Sequence, residues 1–392
     1  MPVRLAITAL ALTATAAGPG PAASRDCACW HSIRVGAGSG DTTLGAVAAP
    51  SARTAWAVGS RGSGPLLIRW TGDRWHPERT PLPTDTLLTG VAAASAADAW
   101  IVGYGADGTP RTAHWTTTVQ GTALDGRMAG WDAGRLPGGP GFPRAVAARG
   151  ARDAWVVGSA PGGDSVTRAM TWHWDGAAWR AVPVPDGSGL ASDLSAVSAR
   201  TATDVWAVGG RGAFPPRPLV LHGDGTAWTP RPLPDLPGEA ILSGVVAQGP
   251  ADVWIVGGLH PVAGTATTPD KPLAARWDGR RWQVMTVPRT DGRFFTVVGD
   301  GHGGIWAGGS RSDGSPLFAH WTPKGWDLSG GRTPEQAGDP LTRNGGSPPA
   351  EVWALARIPR TDHLWAVGSQ NLPSSMDSLH SALTWTNAPR PR

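Results

Sequence analysis

The string Trp-hydrophobic-Val-Gly constrains this chain more than any other feature, because it keeps returning. It reads Trp56-Ala57-Val58-Gly59, Trp100-Ile101-Val102-Gly103, Trp155-Val156-Val157-Gly158, Trp206-Ala207-Val208-Gly209 and Trp254-Ile255-Val256-Gly257. It returns in degenerate form as Trp306-Ala307-Gly308-Gly309 and in full as Trp365-Ala366-Val367-Gly368. Successive Trp residues lie 44 to 59 residues apart, the length of one four-stranded propeller blade. The 55 Gly and 37 Pro of the chain are therefore turn residues between many short strands rather than a sign of disorder.

The fourth unit shows the internal plan. Leu194 to Ala199 alternates apolar and small residues and predicts a strand. Ala202-Thr203-Asp204 predicts a turn and Val205 to Gly210 a second strand. Pro218 to His222 predicts a third strand, and Ala227 to Pro230 opens a fourth. The third strand usually carries a second Trp and the fourth a third, as in Trp70 with Trp75, Trp174 with Trp179, Trp277 with Trp282 and Trp321 with Trp326. Unit four has Gly223 in place of the second Trp, and unit two has an insertion between Trp115 and Trp131.

The seventh unit has Val352 to Ala356, Trp365 and Trp385, and then the chain ends without a fourth strand. Trp30-His31-Ser32-Ile33-Arg34-Val35 precedes any first strand and matches Trp179 to Val184 in pattern. It predicts the missing strand. The expected fold is all-β: a seven-bladed β-propeller of four-stranded blades, closed by the N-terminal strand completing the last blade. Such closure shields sheet edges that open blades would expose.

Repetition itself argues that the in-register Trp residues pack blade against blade, each contributing roughly 4–6 kcal/mol of burial at most. His114, His173, His222 and His320 share one repeat position, and Asp98, Asp153, Asp204 and Asp252 another. Ligands of one metal ion must lie about 2 Å from it, whereas equivalent positions of different blades lie far apart. Both sets are therefore expected to be structural. The Gly after each Val is expected to end the second strand in a conformation other residues resist.

Trp206 to Gly210 and Trp254 to Gly258, each followed by aromatic positions, resemble kelch repeats, with Trp pairs in place of that family's Tyr and Trp. Asp175-Gly176-Ala177-Ala178-Trp179 and Asp224-Gly225-Thr226-Ala227-Trp228 resemble the Asp-box of sialidase-like propellers, one residue short; Asp278 to Trp282 is a degenerate copy. Tectonin-type lectin propellers are similar in pattern. These resemblances imply an architecture that hosts enzymes, lectins and scaffolds alike. Galactose oxidase, a kelch-like enzyme, holds copper with tyrosines, and sialidases use a Tyr nucleophile with an acidic partner. This chain has one Tyr, Tyr104, and four Glu residues, Glu78, Glu239, Glu335 and Glu351, none paired with it in sequence. Neither chemistry carries over, and no cofactor or metal is expected.

Arg4, the apolar Ala/Thr-rich run Leu5 to Ala17, and the small residues up to Ser24 predict a cleaved export signal at 1–24, too short to span a bilayer. The propeller is then 25–388, with a short tail at 389–392, and the protein is expected to be secreted or held at the cell surface. Cys27 and Cys29 are expected to form a local bridge or remain free thiols; with His31 they make an incomplete metal site. The net charge of +4 is too small and dispersed for nucleic acid, and no later stretch predicts membrane insertion.

In a propeller, the loops joining strands one to two and three to four lie on one face. Those joining strands two to three, and blade to blade, lie on the other. The first set is mostly short and nearly uniform here. The second varies: Arg211 to Pro216, Leu259 to Lys271, Ser329 to Pro349 and Gln370 to Ser378. Variable loops on a rigid scaffold are where binding usually sits. The candidate ligand-binding residues are therefore Arg211, Phe214, His260, Asp270, Lys271, Arg311 and Asp313. The expectation is a non-enzymatic binding or scaffold propeller for an extracellular protein or glycan. The alternatives are a carbohydrate-binding lectin and an extracellular polysaccharide hydrolase or lyase.

Overall fold

The computed structural model describes residues 30–33, 35, 41–117, 130–162, 166–185, 189–213, 216–260, 269–288, 290–330, 349–372 and 379–388. They form seven antiparallel four-stranded sheets, with no helix among the described residues. Blade four comprises Ser192–Thr201, Asp204–Arg211, Arg217–Gly223 and Trp228–Pro230, close to the bounds its sequence predicts. The first strands of the seven blades are Thr42–Ser51, Leu87–Ser95, Phe142–Gly150, Ser192–Thr201, Glu239–Gly249, Arg293–Gly299 and Ala350–Arg357. Each touches the first strands of both neighbouring blades, so together they surround the axis of a closed ring.

Closure occurs in blade seven. Its order runs Ala350–Arg357, Leu364–Leu372, Leu379–Thr386 and then His31–Ile33 from the other end of the chain. His31 faces Thr386, Ser32 faces Trp385 and Ile33 faces Thr384. Thr384 Oγ1 also donates to the Ile33 carbonyl at 2.7 Å. Trp30 is buried, stacked on Phe318 with centroids 4.0 Å apart and edge-on to Trp306 at 5.8 Å.

Seven apolar clusters fill the spaces between blades, each built around the second-strand Trp of one blade and aromatic residues of the next. The in-register His and Asp residues complete this packing. His114 stacks flat on Trp100 at 3.8 Å, and its Nε2 lies 2.6 Å from Asp98 Oδ1. His173 repeats the pattern on Trp155 with Asp153, and His222 joins Trp206 and Asp204. In blade five Arg276 replaces the His, reaching Asp252 and Trp254. In blade six Asp300, from the turn between strands one and two, replaces the missing Asp and holds His320 against Trp306. In blades two to six a carboxylate thus holds a flat imidazole or guanidinium group against the indole.

The Asp-box-like turns are closed by their carboxylates. Asp175, Asp224 and Asp278 each accept two backbone N–H bonds at 2.8–2.9 Å. The bonds from Thr226 and Ala227 pull the Asp224 carboxyl down to about 2.

Candidate functional site

The glycine three residues after each second-strand Trp corrects one sequence expectation. Gly59, Gly103, Gly158, Gly209, Gly257, Gly309 and Gly368 lie inside their strands, and none has a positive φ. A β-carbon on any of them would sit 1.8–2.2 Å from a backbone oxygen of the first strand. The glycine is required by close approach, not by a left-handed turn.

That approach accompanies a bulge. In every blade the pairing of strands one and two slips by one residue beside this glycine. The extra residues are Gly45, Thr89, Arg144, Ser195, Ser243, Phe295 and Trp353. A bulge re-aims the side chain it carries. All seven residues line one cavity of about 460 Å³ on the ring axis, a size suited to a small ligand. The cavity opens where the first strands begin, on the face of the blade-to-blade connections.

The lining is lopsided. Blades six and seven contribute Phe295 and Trp353, with centroids 4.4 Å apart and planes 24° from parallel. The Arg293 guanidinium lies 4.9 Å from the Phe295 ring centre. Trp353 is 37% exposed, one of few large apolar side chains so open. Its indole N–H donates to Ser369 Oγ at 3.3 Å, which fixes the ring. Next around the ring is Gly45, where a β-carbon would meet nothing within 4 Å. Blades three to five contribute Arg144, Asp193, Ser195 and Ser243. Burial pushes the Asp193 carboxyl above its usual range, with the charge of Arg144 and the Gly210 N–H opposing it. Burial likewise raises Glu351 beside the mouth, against the charges of Arg293 and His380. The site offers an aromatic platform on one side and hydroxyls, a guanidinium and a carboxyl on the other.

The described residues among those nominated from the loops lie on the same face, outside the cavity lining. His260 and Asp270 come together, Nδ1 to Oδ1 at 2.8 Å, at the base of the blade-five loop. Lys271 is exposed and begins the third strand opposite Leu259. Arg311 and Asp313 share one turn: Arg311 Nη1 donates to the Pro316 carbonyl at 3.3 Å, and Asp313 accepts the Ser315 N–H at 2.8 Å. The bonds from Ser315 hold the Asp313 carboxyl below its usual range. Arg211 ends its strand between Ser192 and Arg217. Phe214 and most of the variable loops lie outside the described residues, as do residues 1–29 with Cys27 and Cys29, and the tail 389–392.

Sequence reasoning missed Arg144, Asp193, Phe295 and Trp353. A signal for three of them exists. When the first strands are aligned, as in Leu88-Thr89-Gly90-Val91, Leu194-Ser195-Ala196-Val197 and Val352-Trp353-Ala354-Leu355, the flanks keep their character. The bulge position alone changes freely in size and charge.

Fold and axial site together define a seven-bladed β-propeller with a ligand-sized mouth on its axis. No family model matches the chain, and no curated protein matches it. Solved structures are similar to it in fold. One is YCF48 bound to a D1 peptide, 16% identical, with a TM-score of 0.55 over 92% of this chain and 97% of that one. Another is YCF48 from Cyanidioschyzon merolae, 14% identical, TM-score 0.53, covering 91% and 98%. A third is a catalytically inactive virginiamycin B lyase from Staphylococcus aureus with quinupristin, 10% identical, TM-score 0.57, covering 91% and 98%. At these identities the likeness is one of architecture.

Proposed function

We propose that this protein is an exported, non-enzymatic binding propeller that takes an extracellular protein segment or glycan in its axial mouth. The observation that carries the reading is the ring of seven bulges. Repeat packing needs a bulge in each blade, but not bulge residues of six different kinds, from Gly to Arg and Trp, lining one cavity. The lining supports recognition by stacking on Trp353 and Phe295 and by hydrogen bonding to Arg144, Asp193, Ser195 and Ser243. Among the described lining residues Asp193 is the one carboxylate, whereas glycoside hydrolysis usually needs a flanking pair. Arg211, His260, Asp270, Lys271, Arg311 and Asp313 then form an outer rim on the same face. Two of the proteins similar in fold were solved with a D1 peptide or with quinupristin, which agrees with this use of the architecture.

The test is to screen the secreted protein against a glycan array and a random peptide library. The best hit is then measured on Trp353→Ala and Arg144→Ala. Loss of at least about tenfold in affinity, with melting unchanged within about 2 °C, is the expected result. Full affinity in both variants, with loss only after substituting Lys271 or Arg311, would move the site to the rim.

A further inference from the structure

On the opposite face, blade seven breaks a packing rule that five of the seven blade interfaces keep. One cross-strand row of blade three reads Ala148, Ala154, Trp174, Trp179. The same row in blade seven begins Arg357, Leu364, and by continuation of register ends Asn387, Trp30. Asn387 stands where the third-strand Trp belongs; Trp385 occupies the place of Trp172 instead. Arg357 stands where other blades have Ala or Gly.

The indole that Asn387 replaces has a regular place. In five interfaces the second-strand Trp meets the third-strand Trp of the next blade at 4.5–5.9 Å and 53–58°. Trp306 lacks that neighbour. Blade four also lacks the ring, at Gly223, but there the Trp228 indole has moved over, 3.0 Å from where a β-carbon would stand. At Asn387 no ring of the described residues takes that place. A cavity of about 560 Å³ remains, lined by Trp306, Leu364, Asn387, Arg357, His302 and His363 among others. Asn387 keeps the polar bond that an indole makes. Trp174 Nε1 donates to the Ala151 carbonyl of its turn, and Asn387 Nδ2 donates to the Asp362 carbonyl of the matching turn. The hydrogen bond is preserved and the ring is missing.

The charges around this gap are uneven. Asp300 is engaged by His320, and Asp362 by His302. Among the described residues Arg357 and His363 have no carboxylate within ion-pair distance. The Arg357 guanidinium rests over Gly301, in space that a β-carbon there would fill. We propose that this cleft between blades six and seven binds a planar aromatic acid of indole size. The ring takes the place of the absent indole against Trp306, and the carboxylate pairs with Arg357. The ligand can be a free aromatic acid or the C-terminal aromatic residue of another chain, which share this chemistry. The site is independent of the axial mouth.

Three probes separate the outcomes: indole-3-propionate, its neutral amide, and a peptide ending in Trp with a free carboxylate. Titration by calorimetry and by His ring NMR should show saturable binding of an acid and shifts at His302 and His363. Arg357→Gln should weaken it at least about tenfold, since a charge-assisted bond to a carboxylate is lost. Asn387→Trp should abolish it; the double variant Arg357→Ala, Asn387→Trp restores the ordinary row and should abolish it while raising the melting temperature. Tighter binding of the peptide than of the free acid identifies a chain terminus as the source, and the reverse identifies a small molecule. No saturable binding of either acid up to about 5 mM, equal affinity for the amide, or unchanged binding in the double variant would overturn the assignment.

Discussion

Replacing Trp30 by Ala tests whether the ring is held shut by its N-terminal strand. Trp30 is 3% exposed and stacked on Phe318, and the strand that follows makes only three residue pairs with Leu379–Thr386. Truncating a buried Trp costs about 3–5 kcal/mol. Unfolding entropy near 2.1 cal/mol/K per residue over roughly 360 residues is about 0.75 kcal/mol/K, so the melting temperature should fall by about 4–7 °C. Trp228→Ala is the control. That ring is 4% exposed in the fourth strand of blade four, and its loss should cost a similar amount. The two variants should differ in where the ring opens. Trp228 sits on a strand covalently continuous with its own blade. Trp30 anchors a strand from the far end of the chain, so its loss frees the edge at 379–386. Calorimetry gives the melting shift, and hydrogen exchange by mass spectrometry reads the edge. Faster exchange of 379–386 is expected in Trp30→Ala and not in Trp228→Ala. A shift under about 1 °C with unchanged protection of 379–386 would refute the reasoning.

Two further outcomes follow from the axial site. Gly257→Ala puts a β-carbon 1.9 Å from the Ile241 carbonyl oxygen, so it should cost at least about 1–3 kcal/mol, while Gly45→Ala, with nothing within 4 Å, should stay within about 0.5 kcal/mol; equal melting of the two variants contradicts the bulge argument. Asp193 is raised by burial, so the folded state holds its proton more tightly than the unfolded chain, whose carboxyl titrates near about 3.9. The stability it contributes is present below that value and is lost as pH rises through the raised folded pKa. Asp193→Asn should therefore gain in melting temperature relative to the parent between about pH 4 and pH 7, and a difference constant across that window counts against it.

The fold was legible because a propeller repeats each physical demand seven times. One Trp in an apolar run says little; seven in register, all with Gly and six with Val behind them, predict one interface copied around a ring. Closure was legible for a related reason: a blade without its fourth Trp and an orphan Trp30 segment complete each other, and the register from His31 to Thr386 joins them. The in-register His and Asp sets were legible as structural, but not as partners. Nothing in the spacing of His222 and Asp204 shows that Nε2 and Oδ1 lie 2.9 Å apart across two strands. The glycines were placed correctly and explained wrongly, because close approach and a left-handed turn select the same residue.

The axial site was hidden by the property that makes it a site. Repetition finds positions where every blade agrees, and binding residues are those where blades must differ. Trp353 looks like one more Trp among 22, yet it is out of register with the packing set and 37% exposed. Phe295 follows the buried Phe294 and reads as an ordinary apolar step in a strand, until the bulge turns it toward the axis. Asn387 is the converse case, an absence at a position where Trp is the rule, and a search for recurring residues passes over it. In a repeat protein the scaffold is written in what the units share. The chemistry lies at the one or two places per unit where they depart from one another, and only the register of the sheets shows which departures face the same cavity.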